Sequence, residues 1–313
     1  MIQRYILVIL LLSGNFAQAQ RQQVTHYNII FAPDLSNRLN TKLYPKPVSD
    51  AKIVSSVLSK IYPDILRIKR LDRQMDKFSV DFINRGLIGI YKINTEVLNI
   101  DFGPFQDRQL ERIDYIMGRS KRKLSSDVTL FNAEYARINA KASLANHGAD
   151  IWTYFNSGID GSIVKPAFKR GNSIQAYRNI LILMTDGYIE AGIYGKGYDL
   201  SKQKVDAFRK AYLKSRASNL EHFLGLNPQF KINPVNNQYL KNLEVLVLEM
   251  YDRSLSKSGA ATIHPTDMEI MKVIWSDWLR ESGIKHFELK SIMANQTEID
   301  HTTIGFIKQT TTQ

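Results

Sequence analysis

The chain has 313 residues, 44% of them hydrophobic and 23% charged, the balance of a globular protein long enough to bury a large core. It contains no cysteine, which excludes disulfides, thiolate metal sites and cysteine nucleophiles together. Lysine and arginine outnumber aspartate and glutamate by 42 to 30, a formal charge of +12 that favours acidic partners. The cations are spread along the chain, however. The one dense run, Arg119-Ser-Lys-Arg-Lys123, has no nucleic-acid-binding motif around it and reads as a solvated loop, so no nucleic acid is expected as a partner.

The amino terminus reads as a targeting segment. Residues 1–4 form a short basic start, residues 5–12 are unbroken apolar sequence, and Ala17-Gln18-Ala19 has the small-x-small pattern of a signal-peptidase site. Cleavage is expected after Ala19, which makes residues 1–19 a signal peptide and the protein an exported one, periplasmic or extracellular. The apolar run falls well short of the roughly 20 residues that span a bilayer. No later stretch is apolar enough, so no transmembrane segment is expected after cleavage. Removing the signal takes away Arg4 alone and leaves a charge of about +11.

Residues 26–31 read as a buried strand that runs into Pro33, Asp34, a spacer and Ser36. Ser49 is placed to cap a helix with Ile53, Val54, Val57, Leu58 and Ile61 on one face. Residues 77–83 alternate apolar and polar side chains, as a strand does, and residues 87–100 suggest one or two further short strands. Helices are predicted over residues 106–117 and 128–145, the second with Phe131, Tyr135, Ile138 and Ala142 on one face. Another begins at Asp150, where Trp152, Tyr154 and Phe155 read as core.

Residues 179–184 are the most apolar run after the signal and end abruptly in Thr185-Asp186-Gly187. A continuous apolar strand suits the middle of a parallel sheet covered on both faces. A glycine-rich loop follows, then a polar helix over 201–215 and an apolar strand over 243–250. Thr266 and Glu269 form a capping box for a helix reaching Leu279, and a last strand lies at 286–292. Alternating strands and helices argue for an α/β, Rossmann-like doubly wound sheet, with residues 20–313 as a single domain carrying inserted loops.

In such a sheet ligands gather beyond the carboxyl ends of the strands. Two predicted central strands end in aspartate, Asp34 and Asp186, and parallel strands would bring both carboxylates to one edge. Carboxylates that close repel unless a cation or a shared proton lies between them, and hydroxyl and carboxylate oxygens suit a hard cation such as Mg²⁺.

A strand ending in Asp34-x-Ser36 and a later apolar strand ending in Thr185-Asp186-Gly187 resemble the von Willebrand factor A domain family. That family carries a metal-ion-dependent adhesion site at the edge of a Rossmann-like sheet. The resemblance implies an adhesive, protein-binding module and not an enzyme. Asp34, Ser36 and Asp186 would hold Mg²⁺ (Mn²⁺ or Ca²⁺ are compatible with the same donors), and an acidic side chain of a partner protein would complete the coordination. The loops over 37–41 and 187–198 would form the rim.

The family's middle threonine has its counterpart at Ala149, which has no ligand atom, and Asp150, one residue on, is the candidate substitute. Arg38 stands where the family's first motif has a second serine. A guanidinium there suggests a second reading, a metal-free interaction or assembly protein in which Arg38 bridges Asp34 and Asp186. A third reading is a haloacid-dehalogenase-like phosphatase using Asp34, but Ser36 stands where that chemistry wants a second aspartate as general acid. The six histidines show no zinc spacing.

Overall fold

The structure, a computed structural model, describes residues 22–68, 70, 73–145, 147–190, 192, 197–256 and 258–309. The predicted signal peptide lies outside them, as do residues 191 and 193–196 of the glycine-rich loop. Among the described residues a sheet of seven strands forms the centre: β1 (Gln22–Pro33), β2 (Lys77–Val80), β3 (Asn99–Asp101), β4 (Phe168–Arg170), β5 (Ser173–Met184), β6 (Leu243–Met250) and β7 (His286–Ser291). Their order is β3-β2-β1-β5-β6-β7, with β4 paired to the start of β5.

The sheet is mostly parallel. Only β3, against β2, and β4, against β5, run antiparallel. With the β4 hairpin set aside, this is the doubly wound order, and the winding reverses between β1 and β5. The expected α/β class is therefore observed.

Helices cover both faces and explain why β1 and β5 are apolar without alternation. Ile29 and Phe31 of β1 point into one core cluster, built with α1 (Asp50–Ser59), α4 (Leu124–Ala142) and α8 (Gln296–Lys308). Ile30 and Ala32 point into a second, built with α5 (Lys202–Lys214), α6 (Leu220–Leu226) and α7 (Asp267–Glu281). A strand buried on both sides has no face left for polar residues.

The exceptions inside β1 and β5 are paired to each other. Asn28 and Asn179 are register partners, and the Asn28 amide donates to Asn179 Oδ1 at 2.8 Å and to the Ile163 carbonyl at 2.7 Å. A one-residue slip would bury both amides without partners, so this pair holds the register that aligns the two strand ends.

Two helix starts follow the predicted caps: Ser49 accepts from the Lys52 amide, and Thr266 and Glu269 form the reciprocal capping box. Ser201, expected only as the start of a polar helix, also caps its helix by accepting from the Lys204 amide. Two segments differ from expectation. Residues 87–100 open not with a strand but with α2 (Gly86–Tyr91), ended by Lys92 in the left-handed region. Leu87 and Tyr91, four residues apart, are buried while Ile90 between them is exposed, a helical pattern that a short apolar run does not reveal. The helix predicted from Asp150 is a single turn, Ile151–Thr153, that widens over Tyr154–Gly158. Tyr154 and Phe155 are core, as expected.

Candidate functional site

The ends of β1, β5 and β6 are stitched together beyond the last residues of the strands. The Asp34 amide donates to the Met184 carbonyl at 2.9 Å, the Thr185 amide to the Leu248 carbonyl at 3.1 Å, and the Tyr251 amide to the Asp186 carbonyl at 3.0 Å. Asp34 and Asp186 therefore sit side by side at the point where the winding reverses, the usual place for a ligand crevice.

Asp34 is 3% exposed, and both its carboxylate oxygens are engaged. Oδ1 accepts from the Ser36 amide at 3.0 Å, and Oδ2 accepts from the Thr185 hydroxyl at 2.9 Å. Thr185 is fully buried and also receives the Gly187 amide at 3.2 Å, so the Thr-Asp-Gly turn is locked onto Asp34. Ser36 is half-buried and precedes the short 3-10 turn Asn37–Leu39.

Arg38, in that turn, is buried. Its Nε donates to the Asp34 carbonyl at 2.8 Å and lies 3.7 Å from Asp34 Oδ2, while its far end grips both oxygens of Asp50, the first residue of α1. Lys46 joins the group, 2.5 Å from Asp50 Oδ1. Burial pushes the Asp50 carboxyl up, but Arg38 and Lys46 together outweigh it and hold it at about 2. Burial likewise opposes the charge on Arg38, and Asp50 and Asp34 more than restore it.

Asp186 has a guanidinium of its own. Arg253, from the loop after β6, donates to Asp186 Oδ2 at 2.8 Å and lies 3.2 Å from both oxygens of Glu190. Its guanidinium carbon is 3.9 Å from the centre of the Tyr188 ring and 5.3 Å from that of Tyr44, and Tyr44 packs edge-on against Tyr251. Asp186 is 6% exposed. Burial and the neighbouring Asp34 charge push its carboxyl up to about 6 against the pull of Arg253 and Arg38.

A third strand also ends in an acid. Glu249 of β6 is buried, takes a positive φ of 70°, and lies where the β6–β7 register shifts. Among the described residues neither of its side-chain oxygens makes a hydrogen bond of normal geometry, and Lys46 Nζ lies 3.5 Å from Oε2. Burial, and then the Asp50 charge, raise its carboxyl to about 7.

Of the sequence-predicted site residues, the structure brings together Asp34 and Asp186, with Ser36 beside them through its amide. Asp150 instead caps its own helical turn: Oδ1 accepts from the Thr153 amide at 2.9 Å. Gly192 presses against that carboxylate with φ of 92°, and a Cβ there would lie 2.0 Å from Oδ2, so only glycine fits. Ala149 is buried, and His147 packs edge-on against Tyr91. Among the described residues no group of three acidic or histidine side chains is arranged to hold a metal ion.

The reading from sequence missed Asp50, Lys46, Glu249 and Arg253. Glu249 carried a signal, an acid directly after the apolar run of residues 245–248 near the end of β6. Arg253 carried none, since it belongs to an irregular loop. Comparison with protein-family models, with curated proteins and with solved structures finds no match to this chain.

Proposed function

We propose that this is an exported protein-binding module resembling the von Willebrand factor A family, and that it works without a resident cation. The observation that carries this reading is the pairing of the two edge acids with internal guanidiniums: Arg38 beside Asp34, and Arg253 on Asp186. Arg38 stands in the place of a ligand, is buried, and is bound at its far end to Asp50. Ala149 offers no side-chain oxygen. Both Asp34 oxygens already accept hydrogen bonds. The donor set does not fit a divalent ion. Burial and neighbouring negative charge raise the carboxyls of Asp186 and Glu249, which makes a proton easier to add at this edge than at an ordinary carboxylate.

What this edge offers a partner is an aromatic and arginine surface. Tyr44, Tyr251 and Arg253 lie together and partly exposed, with Leu43 exposed beside Tyr44. Tyrosine and arginine are enriched where protein interfaces gain most of their energy. A partner carboxylate would meet Arg253, whose charge Glu190 shares only at 3.2 Å, and the basic surface would steer it there. The burial of Asp34 weighs against a phosphatase, because a nucleophile needs an open approach.

The test is site-specific photo-crosslinking of the exported protein in its own cells. A crosslinker at Leu43 or Tyr251 should give one discrete protein adduct, lost on Arg253→Ala. A crosslinker at Lys210, on the exposed side of α5, should give none. Equal labelling from all three positions would contradict the reading.

A further inference from the structure

Helix α3 (Gln109–Met117) leaves part of its apolar surface uncovered. Arg112 and Tyr115 are buried, yet Leu110, Ile113 and Met117 are 79%, 47% and 51% exposed. At helical spacing these three fall in one stripe, on the face turned away from the core. The helix ends at Gly118 in the left-handed conformation, and the chain passes directly into Arg119, Lys121, Arg122 and Lys123, all exposed.

Arg122 is paired with Asp127 at 2.8 Å, while Arg119, Lys121 and Lys123 have no ion pair among the described residues. Of the acids nearby, Glu111 is tied to Arg108 and Asp107 to Arg170, and Asp114 is half-buried within the helix. The Arg170–Asp107 contact ties the start of this region to β4, at the amino end of β5. The surface therefore belongs to the sheet end opposite Asp34 and is independent of the edge described above.

We infer that α3 and residues 119–123 form a membrane-surface contact, with Leu110, Ile113 and Met117 entering the headgroup boundary of an anionic lipid bilayer while Arg119, Lys121 and Lys123 pair with its phosphates. The coupling of apolar stripe and free cations selects this occupant. A solvated basic loop alone would need no exposed Leu, Ile and Met, and a nucleic acid would gain nothing from them. Amphipathic helices with adjacent lysine and arginine bind anionic interfaces by adding apolar burial to electrostatic attraction. This contact would hold an exported protein at a membrane surface without a spanning segment.

The test is vesicle co-sedimentation of the chain from Gln20 onward, which keeps every described residue and leaves out apolar residues 5–12. Vesicles of phosphatidylglycerol mixed with phosphatidylcholine are compared with phosphatidylcholine alone, at low and high salt. The protein should sediment with the anionic vesicles and at least about tenfold more weakly with the neutral ones. Lys121→Glu with Lys123→Glu should reduce anionic binding to the neutral level. Leu110→Ser with Met117→Ser should weaken it by about tenfold at every salt concentration. Both variants change exposed side chains, and unchanged melting temperatures verify that they fold. Absence of binding to anionic vesicles at low salt would overturn the inference. So would vesicle binding indifferent to the Leu110 and Met117 changes, or binding only to a short DNA duplex.

Discussion

The Thr185 hydroxyl donates to Asp34 Oδ2 at 2.9 Å, joining the ends of two strands whose residues lie 151 positions apart. The bond is buried, and it sits where the doubly wound sheet reverses direction. It turns two acids that would repel into an ordered edge, with one guanidinium beside each.

Thr185→Val keeps the shape of the side chain and removes this bond. Asp34 Oδ2 would lose its hydroxyl donor and the Gly187 amide its acceptor, both in a buried site. A loss of about 1–3 kcal/mol is expected, measured by urea denaturation. Stability equal to wild type would mean that the hydroxyl does not organise the edge.

Arg38→Met tests the buried pair more severely. It fills similar space but leaves Asp50 with Lys46 alone and removes the cation beside Asp34. Breaking a buried pair by removing one partner costs about 3–5 kcal/mol. A loss in that range is expected in the same denaturation experiment. A cost below about 1 kcal/mol would show that Lys46 suffices.

Glu249 gives a pH signature of definite sign. Its folded carboxyl is raised to about 7 from an ordinary value of 4.5, so between these values the native state binds more protons than the unfolded chain. The stability it contributes is full below pH 4.5 and is lost as pH rises through 7. Glu249→Gln abolishes that titration. The variant should match wild type near pH 4.5 and exceed it at pH 8 by on the order of 3 kcal/mol, read from paired denaturation curves. A variant that is less stable than wild type at pH 8 would mean that the ionised Glu249 is held favourably by Lys46.

Much of this was legible in the sequence, for physical reasons that also set its limit. The strands of the core are apolar on both faces, so the stretches that end in Asp34 and Asp186 stood out. Parallel winding then required their ends to meet. The caps at Ser49 and Thr266 were readable because a cap is a contact within one turn of helix. The partners of the acids were not readable. Arg253 reaches Asp186 from 67 residues away, and Glu249 of β6 meets Lys46 of the loop before α1. No periodicity records such encounters. Residues 86–91 failed for a different reason: six residues are too few for helical and extended burial patterns to separate. The reading in which Arg38 bridges Asp34 and Asp186 is half right: Arg38 lies beside Asp34, but its far end turns to Asp50, and Arg253 pairs with Asp186 instead.

The claim that guanidiniums stand in for a cation at this edge is tested most directly by the melting temperature of the wild-type protein in millimolar Mg²⁺, Mn²⁺ or Ca²⁺ against the same buffer with chelator. A ligand that binds only the folded state must raise that temperature. The account predicts no change with any of the three ions. A rise that chelator reverses and Asp34→Ala abolishes would contradict it.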